Sequence, residues 1–209
     1  MGVYGEQVLP RIVNVMCNMK NAWPQRRRVC EQLAGDVVEI GFGSGLNVPF
    51  YPPAVTSVAA VEPADAAWKL AQPRVGATTI PVERAGLDGQ SLPFPDDRFD
   101  AALSTWTMCT IPDLDAALGE LRRVLKPGGT LHFVEHGLAP DEDVQRWQRR
   151  LDPMQQRVFG GCRLTRPIVD KVRGAGFTIE SVDVYYEEGS PKFLGANSLG
   201  VAAVPLKNV

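Results

Sequence analysis

The chain has 209 residues, 44% of them hydrophobic, with a net charge of −2 and a pI near 5.7. That length suits one domain with a sizeable core, and the small charge gives no global drive toward nucleic acid or an acidic membrane surface. Four cysteines (Cys17, Cys30, Cys109 and Cys162) occur without a C-x-x-C pair, so no disulfide framework and no metal site is expected from their spacing, only buried inert thiols. No apolar run approaches the length of a membrane-spanning helix. Residues 1–20 lack the basic-then-apolar order of a signal peptide, so a cytoplasmic protein is the expectation.

Taken in chain order, Val8-Leu9, Ile12-Val13 and Val15-Met16 recur near helical spacing and predict an N-terminal helix. A second helix is expected over 24–33, with Pro24 in its first turn and Gly35 after its end. Strands follow at 37–40, 57–61, 79–82, 100–104 and 130–135. Between the last two, residues 113–125 carry Leu114, Ala117, Leu118, Leu121, Val124 and Leu125 on one face of a helix. Lys126-Pro127-Gly128-Gly129 then turns the chain into the next strand. Residues 141–158 read as a helix that Pro153 should kink or split. Another runs from a Thr165 cap to Ala175, and strands at 177–184 and 199–204 close the chain. Five βα-type units followed by a strand pair imply a mostly parallel sheet with helices on its faces.

The densest signal is Val37-Val38-Glu39-Ile40-Gly41-Phe42-Gly43-Ser44-Gly45. An apolar strand ends in an acid and then a glycine turn, in which Gly41 permits a positive φ and Gly43 permits close backbone approach to a bound molecule. Twenty-three residues beyond Glu39, a second apolar run ends in Glu62, and an acid at the tip of a second strand can accept from both hydroxyls of a ribose. The dinucleotide fingerprint would place its third glycine where Leu46 stands, and Pro49 and Pro52 shorten the helix that would receive a pyrophosphate. An adenosine-bearing cofactor without phosphates fits better, and S-adenosylmethionine is the candidate.

Three motifs then fall in order: Glu39-Ile40-Gly41-Phe42-Gly43-Ser44-Gly45, Ser91-Leu92-Pro93-Phe94-Pro95-Asp96-Asp97-Arg98-Phe99-Asp100, and Leu121-Arg122-Arg123-Val124-Leu125-Lys126-Pro127-Gly128-Gly129. Over roughly the central half of the chain they resemble the class I S-adenosylmethionine-dependent methyltransferases of the small-molecule branch. More narrowly, Phe50-Tyr51-Pro52-Pro53, Val134-Glu135-His136, Leu151-Asp152-Pro153 and Gly161-Cys162-Arg163-Leu164-Thr165-Arg166 resemble the animal alkyl-thiol methyltransferases and their bacterial relatives. The resemblance implies a seven-stranded sheet ordered 3-2-1-4-5-7-6 with strand 7 antiparallel. It also implies a division into an N-terminal helical segment, 1–34, covering the active site, and a cofactor-binding domain, 35–209.

It further implies roles for single residues. Glu39 would sit under the methionine end of the cofactor, with Gly41, Gly43 and Gly45 passing close to it. Glu62 would hold the ribose hydroxyls and Pro63 would pack near the adenine. Asp88 would accept from the adenine amino group, Gly89 would offer its N–H to the ring, and Thr105 would offer its carbonyl to the ammonium.

For the acceptor, Trp106 and Met108 beyond the fourth strand could line an apolar pocket, while His136, Cys162 and Arg166 are further candidates from the same edge and the segment that crosses it. Transfer from a sulfonium needs alignment more than an enzyme nucleophile, so no catalytic residue is assigned. The N/D-P-P-Y/W/F tetrad of amino-methylating nucleic-acid enzymes is absent, since the chain reads Ser104-Thr105-Trp106-Thr107, and no Pro-Cys pair of the cytosine C5 type occurs. The run Arg26-Arg27-Arg28 reads as a solvated helix face or a set of salt bridges. A small-molecule acceptor is expected, a thiol first and a phenol or quinol (O- or C-methylated) second. A dehydrogenase on a related fold and a non-catalytic cofactor-binding subunit are the competing classes, and no feature fixes an oligomeric state.

Overall fold

The computed structural model describes residues 9–18 and 20–206, so Val8 of the expected first helix lies outside the described residues. The elements are α1 (Leu9–Met16), α2 (Trp23–Cys30), β1 (Gly35–Ile40), β2 (Val55–Val61), α3 (Asp65–Val75), β3 (Val82–Gly86) and β4 (Phe99–Thr105). There follow α4 (Leu114–Val124), β5 (Leu125–His136), α5 (Glu142–Val158), α6 (Ile168–Gly174), β6 (Thr178–Tyr186), α7 (Lys192–Gly195) and β7 (Ala196–Ala203). The strands form one sheet in the order β3-β2-β1-β4-β5-β7-β6. All neighbours pair in parallel except β7, which runs antiparallel to both β5 and β6.

The period-two alternation of the inner strands divides the core into two layers. On one face Val38, Ile40, Ala102, Leu131 and Phe133 pack against Leu118 and Leu121 of α4 and Val172 of α6. On the other, Val37, Val58, Ala60, Ala101 and Leu103 meet Val29 and Cys30 of α2 and Ala71 of α3. Glu39 shares the second face with Val37, which is why a residue of α2 can reach it. Helix α4 begins where the Asp113 side chain accepts from the Ala116 N–H at 3.0 Å, satisfying one of the open amides of the first turn.

Several boundaries differ from the sequence expectation. Helix α3 was not expected. Its buried face is built on Ala67 and Ala71, one turn apart, so it carries almost no amphipathic contrast, and Pro73 interrupts the pattern from an exposed position. Strand β3 begins at Val82, where the expected strand ended. Helix α5 is continuous through Pro153: both Pro153 and Arg149, whose carbonyl loses its donor, lie on the exposed side. Helix α6 starts at Ile168, three residues after the expected Thr165 cap. In β5, Phe99 pairs with Leu125 and Ala101 with Thr130, so Lys126-Pro127-Gly128-Gly129 bulges out of the ladder while the strand continues on either side. No helix of the described residues is long and apolar enough to cross a membrane.

The parallel register brings the carboxyl ends of β1, β2, β4 and β5 to one edge of the sheet. Ligands of open α/β sheets bind at that edge. Behind β1 the chain makes only a short 3-10 turn, Val48–Phe50, in place of a full helix.

Candidate active site

Gly41, Gly43 and Gly45 all have positive φ, at 65°, 58° and 72°. Their surroundings separate their roles. A Cβ on Gly41 would lie 2.1 Å from Thr107 Oγ1, and one on Gly45 would press at 3.3 Å on Phe42 and Ala71. A Cβ on Gly43 would meet only the Gly41 carbonyl, at 3.7 Å. Gly41 and Gly45 are therefore required by the protein's own packing, whereas Gly43 borders open space.

Glu62 stands beside that space. Its Oε2 accepts from the Gly43 N–H and its Oε1 from the Ala64 N–H, both at 2.7 Å, so the carboxylate is fixed from two sides by backbone and keeps further acceptor capacity on each oxygen. Burial raises its pKa, and those two amides pull the other way. Arg84 braces the tip of β2, donating to the Glu62 carbonyl at 2.9 Å and the Pro63 carbonyl at 3.1 Å. Pro63 itself is exposed. Across the edge, Asp88 Oδ1 accepts from the backbone N–H of Gln90 at 2.8 Å and from its side-chain amide at 3.1 Å, an Asx-type turn. Gly89 faces Ile40 at the end of β1.

Under the glycine turn lies a buried polar network centred on Glu39. Its Oε1 accepts from Asn47 Nδ2 at 2.9 Å and its Oε2 from the Tyr51 hydroxyl. Asn47 also donates to Thr105 Oγ1 at 2.9 Å and accepts from Arg26 Nη1 at 2.7 Å. Burial pushes the Glu39 carboxyl up to about 7, against the hydrogen bonds from Tyr51 and Asn47 and the charge of Arg26. Arg26 is thus turned inward, 4% exposed, and does not belong to the solvated face expected for the arginine run. Its guanidinium lies 4.8 Å from the centre of the Trp106 ring, and its Nε has no hydrogen-bond partner among the described residues. The overlooked signal was helical spacing: Arg26 stands three and four residues before Val29 and Cys30, on the apolar face of α2.

The β4–β5 edge is held by a second buried carboxylate. Glu135 Oε1 accepts from Ser104 Oγ at 2.7 Å and from the Thr107 N–H at 3.0 Å, and Oε2 accepts from the Cys109 N–H at 3.2 Å. Burial raises its pKa. Trp106 adopts φ of +50°, sparsely populated for a bulky residue. Its N–H to the Val134 carbonyl at 2.8 Å and its indole N–H to Asn197 Oδ1 at 3.0 Å hold it there. Its ring centre lies 6.1 Å from that of His136. Met108, expected at the pocket, is fully buried in the core with Ile40 and Leu118. Arg166 is spent on the loop after β4, donating to the carbonyls of Met108 and, at 2.7 Å, Ile111.

Cys30, Cys109 and Cys162 are buried, as expected, and the fold brings two of them together. Cys109 and Cys162 bring their sulfurs to 3.6 Å, and His136 joins them, all three donor atoms lying within 4.8 Å of one another. The shared hydrogen bond holds the Cys162 thiol below its ordinary pKa, with His136 acting in the same direction, and pushes that of Cys109 up. A separate cavity of about 950 Å³, lined by Asn14, Tyr51, Thr56, Leu70, Arg74 and Ile80, opens toward the amino ends of β2 and β3, away from Glu62.

A family profile described as a methyltransferase domain matches residues 38–133, the stretch holding the glycine turn, Glu62, Asp88 and the loop after β4. Over 146 residues the chain is 32% identical to the thiol S-methyltransferase TMT1B of Rattus norvegicus, covering 68% of this chain and 59% of that protein. Residues 38–133 belong to the methyltransferase-domain family. The chain is also 28% identical over 183 residues to the thiol S-methyltransferase TMT1A of Homo sapiens, covering 84% of this chain and 71% of that one. A geranyl diphosphate methyltransferase, solved in complex with GPP and sinefungin, superposes with a TM-score of 0.71 at 14% identity over 87% of this chain and 77% of that one. At that identity the likeness shows the fold alone.

Proposed function

We propose that this protein transfers the methyl group of S-adenosylmethionine to small thiols. The observation that carries the cofactor reading is the Glu62 carboxylate, pinned between the Gly43 and Ala64 amides beside a glycine whose Cβ direction is open. Such a carboxylate accepts from both ribose hydroxyls without losing its own supports. Asp88 and Gly89 then face the adenine, with Pro63 packing near it, and the Thr105 carbonyl accepts from the ammonium. Glu39 acts from beneath, because Asn47 and Tyr51 occupy its two oxygens. The described residues before position 35 serve as a cover whose anchor is Arg26, seated on Asn47 and Trp106.

When bound, the cofactor supplies a methyl group already activated as a sulfonium, so the chain's part is to place the acceptor in line and exclude water. A thiol reacts as its thiolate. The buried Arg26 guanidinium over Trp106 provides positive charge on the acceptor side, and the indole and His136 rings provide a soft wall. The thiol S-methyltransferase relatives favour the same acceptor class.

The test is turnover of a panel of aliphatic thiols, phenols and quinols between about pH 6 and about 9, read as S-adenosylhomocysteine. Thiol methylation should rise with pH through each thiol's own pKa. Turnover of a phenol or quinol with none for any thiol would replace the acceptor assignment. No turnover with intact cofactor binding would make the chain a cofactor-binding subunit.

A further inference from the structure

We propose that Cys109, Cys162 and His136 form a binding site for a soft divalent cation of the zinc type, with three protein ligands and a fourth coordination position left to an exogenous ligand. The site joins two loops remote in sequence, and backbone bonds hold those loops together independently of the thiols. Arg163 donates its N–H to the Cys109 carbonyl at 3.0 Å, and the Cys162 N–H bonds to the Phe159 carbonyl at 3.1 Å. Leu164 donates to the buried Asp152 carboxylate at 2.5 Å, and the Cys109 N–H to Glu135 at 3.2 Å.

The spacing suits a cation better than a covalent bridge. Two thiolates each about 2.3 Å from a tetrahedral zinc lie about 3.8 Å apart. The sulfurs stand at 3.6 Å. A disulfide needs about 2.05 Å, about 1.5 Å less than the separation of the two sulfurs here. His136 supplies the third donor within 4.8 Å of both sulfurs. Nitrogen and sulfur donors select zinc-like cations over magnesium or calcium, which take oxygen.

Charge and surroundings agree with this chemistry. Both sulfurs are buried, and the Glu135 carboxylate lies behind Cys109, so two uncompensated thiolates there would be costly while a dication neutralises them. Glu135 and Arg166 fix the Cys109 loop from behind, as outer-shell groups do in metal sites. His136 is only partly buried and faces Trp106, which leaves an approach from the carboxyl edge of the sheet. Sequence spacing concealed the site because Cys109 and Cys162 stand 53 residues apart.

The experiment titrates reduced, metal-free, full-length protein with zinc ion against a chromophoric chelator, and in parallel with cobalt(II). One metal per chain is expected, with the intense visible bands of tetrahedral cobalt and a thiolate-to-cobalt charge-transfer band. Loss of outer-shell groups costs about 10–100-fold in affinity, so Cys162→Ser and His136→Ala should each weaken binding by at least about 100-fold. Cys30→Ser, in the core between α2 and the sheet, should bind as wild type. His136→Ala keeps the test decisive should Cys162→Ser fail to fold. Absence of stoichiometric zinc in the reduced wild-type chain overturns the proposal, as does unchanged affinity in His136→Ala. A Cys109–Cys162 disulfide in the oxidised protein, with no metal uptake after reduction, overturns it too.

Discussion

The ends of β1 and β2 and the ends of β4 and β5 lie side by side on one edge of the sheet, yet they are built by different rules. At the first pair the functional groups are neighbours in sequence: a strand, its acid, a glycine turn, and the next strand with its own acid, tied by the Gly43 amide on Glu62. At the second pair a buried carboxylate gathers a loop, and the side chains that meet there, Trp106, Cys109, His136, Cys162 and Asn197, come from four separate segments. The first construction constrains the backbone and leaves little freedom of residue type. The second constrains only which segments meet, and its chemistry can change with single side chains. A shared cofactor with varied acceptors is what such a division permits.

The strongest way to break this comparison is Gly43→Val. The position has φ of +58° but free space around it, so the variant should fold with a backbone cost of about 1–2 kcal/mol and lose S-adenosylmethionine binding altogether. Calorimetry showing wild-type affinity would make the turn merely structural. Next comes Glu39→Gln. A carboxyl held at about 7 against an ordinary value of 4.5 binds its proton more tightly in the folded state. Its stability contribution is therefore full below about pH 4.5 and lost as pH rises through about 7, a swing of about 3 kcal/mol. Urea unfolding of the ligand-free protein should show the difference between wild type and variant shifting by that amount across the window. A constant offset would mean that Glu39 does not titrate there.

Glu62→Ala should weaken cofactor binding by about 1.5–3 kcal/mol, the range for hydrogen bonds to a charged group, with the fold kept by Arg84 at the tip of β2. An unchanged dissociation constant would remove Glu62 from the ribose. The smallest effect should come from Asp88→Ala, under about 1.5 kcal/mol on cofactor binding, because that exposed carboxylate also serves its own turn. A loss as large as that of Glu62→Ala would raise Asp88 to an equal partner.

The contrast also explains what could be read before the fold was known. The broken turn after β1 and the positions of Glu39 and Glu62 follow from contiguous patterns whose physics is local, whereas the strand order was implied by the family resemblance of three spaced motifs. Helix α3 escaped because alanines bury a face without an amphipathic signature, and β3 was displaced because a short half-buried strand has no strong alternation. Asn47 was illegible for another reason: it looks like an ordinary surface residue until the sheet supplies a buried acid for it to meet. The cysteine–histidine cluster depends wholly on long-range docking, and no spacing rule anticipates that.

Glu135 has a consequence for motion. The loop behind β4 does not rest on the sheet by apolar contact alone. A buried carboxylate grips its Thr107 and Cys109 amides from below, and Arg166 holds two of its carbonyls from the other side. Releasing this loop would leave the buried carboxylate with Ser104 alone and the guanidinium without its two carbonyls, so its opening should be nearly as rare as unfolding of the strands themselves. Amide hydrogen exchange at Thr107 and Cys109 should accordingly keep pace with β4 and β5, and the acceptor wall would choose among substrates by fixed shape, with little yielding to fit them.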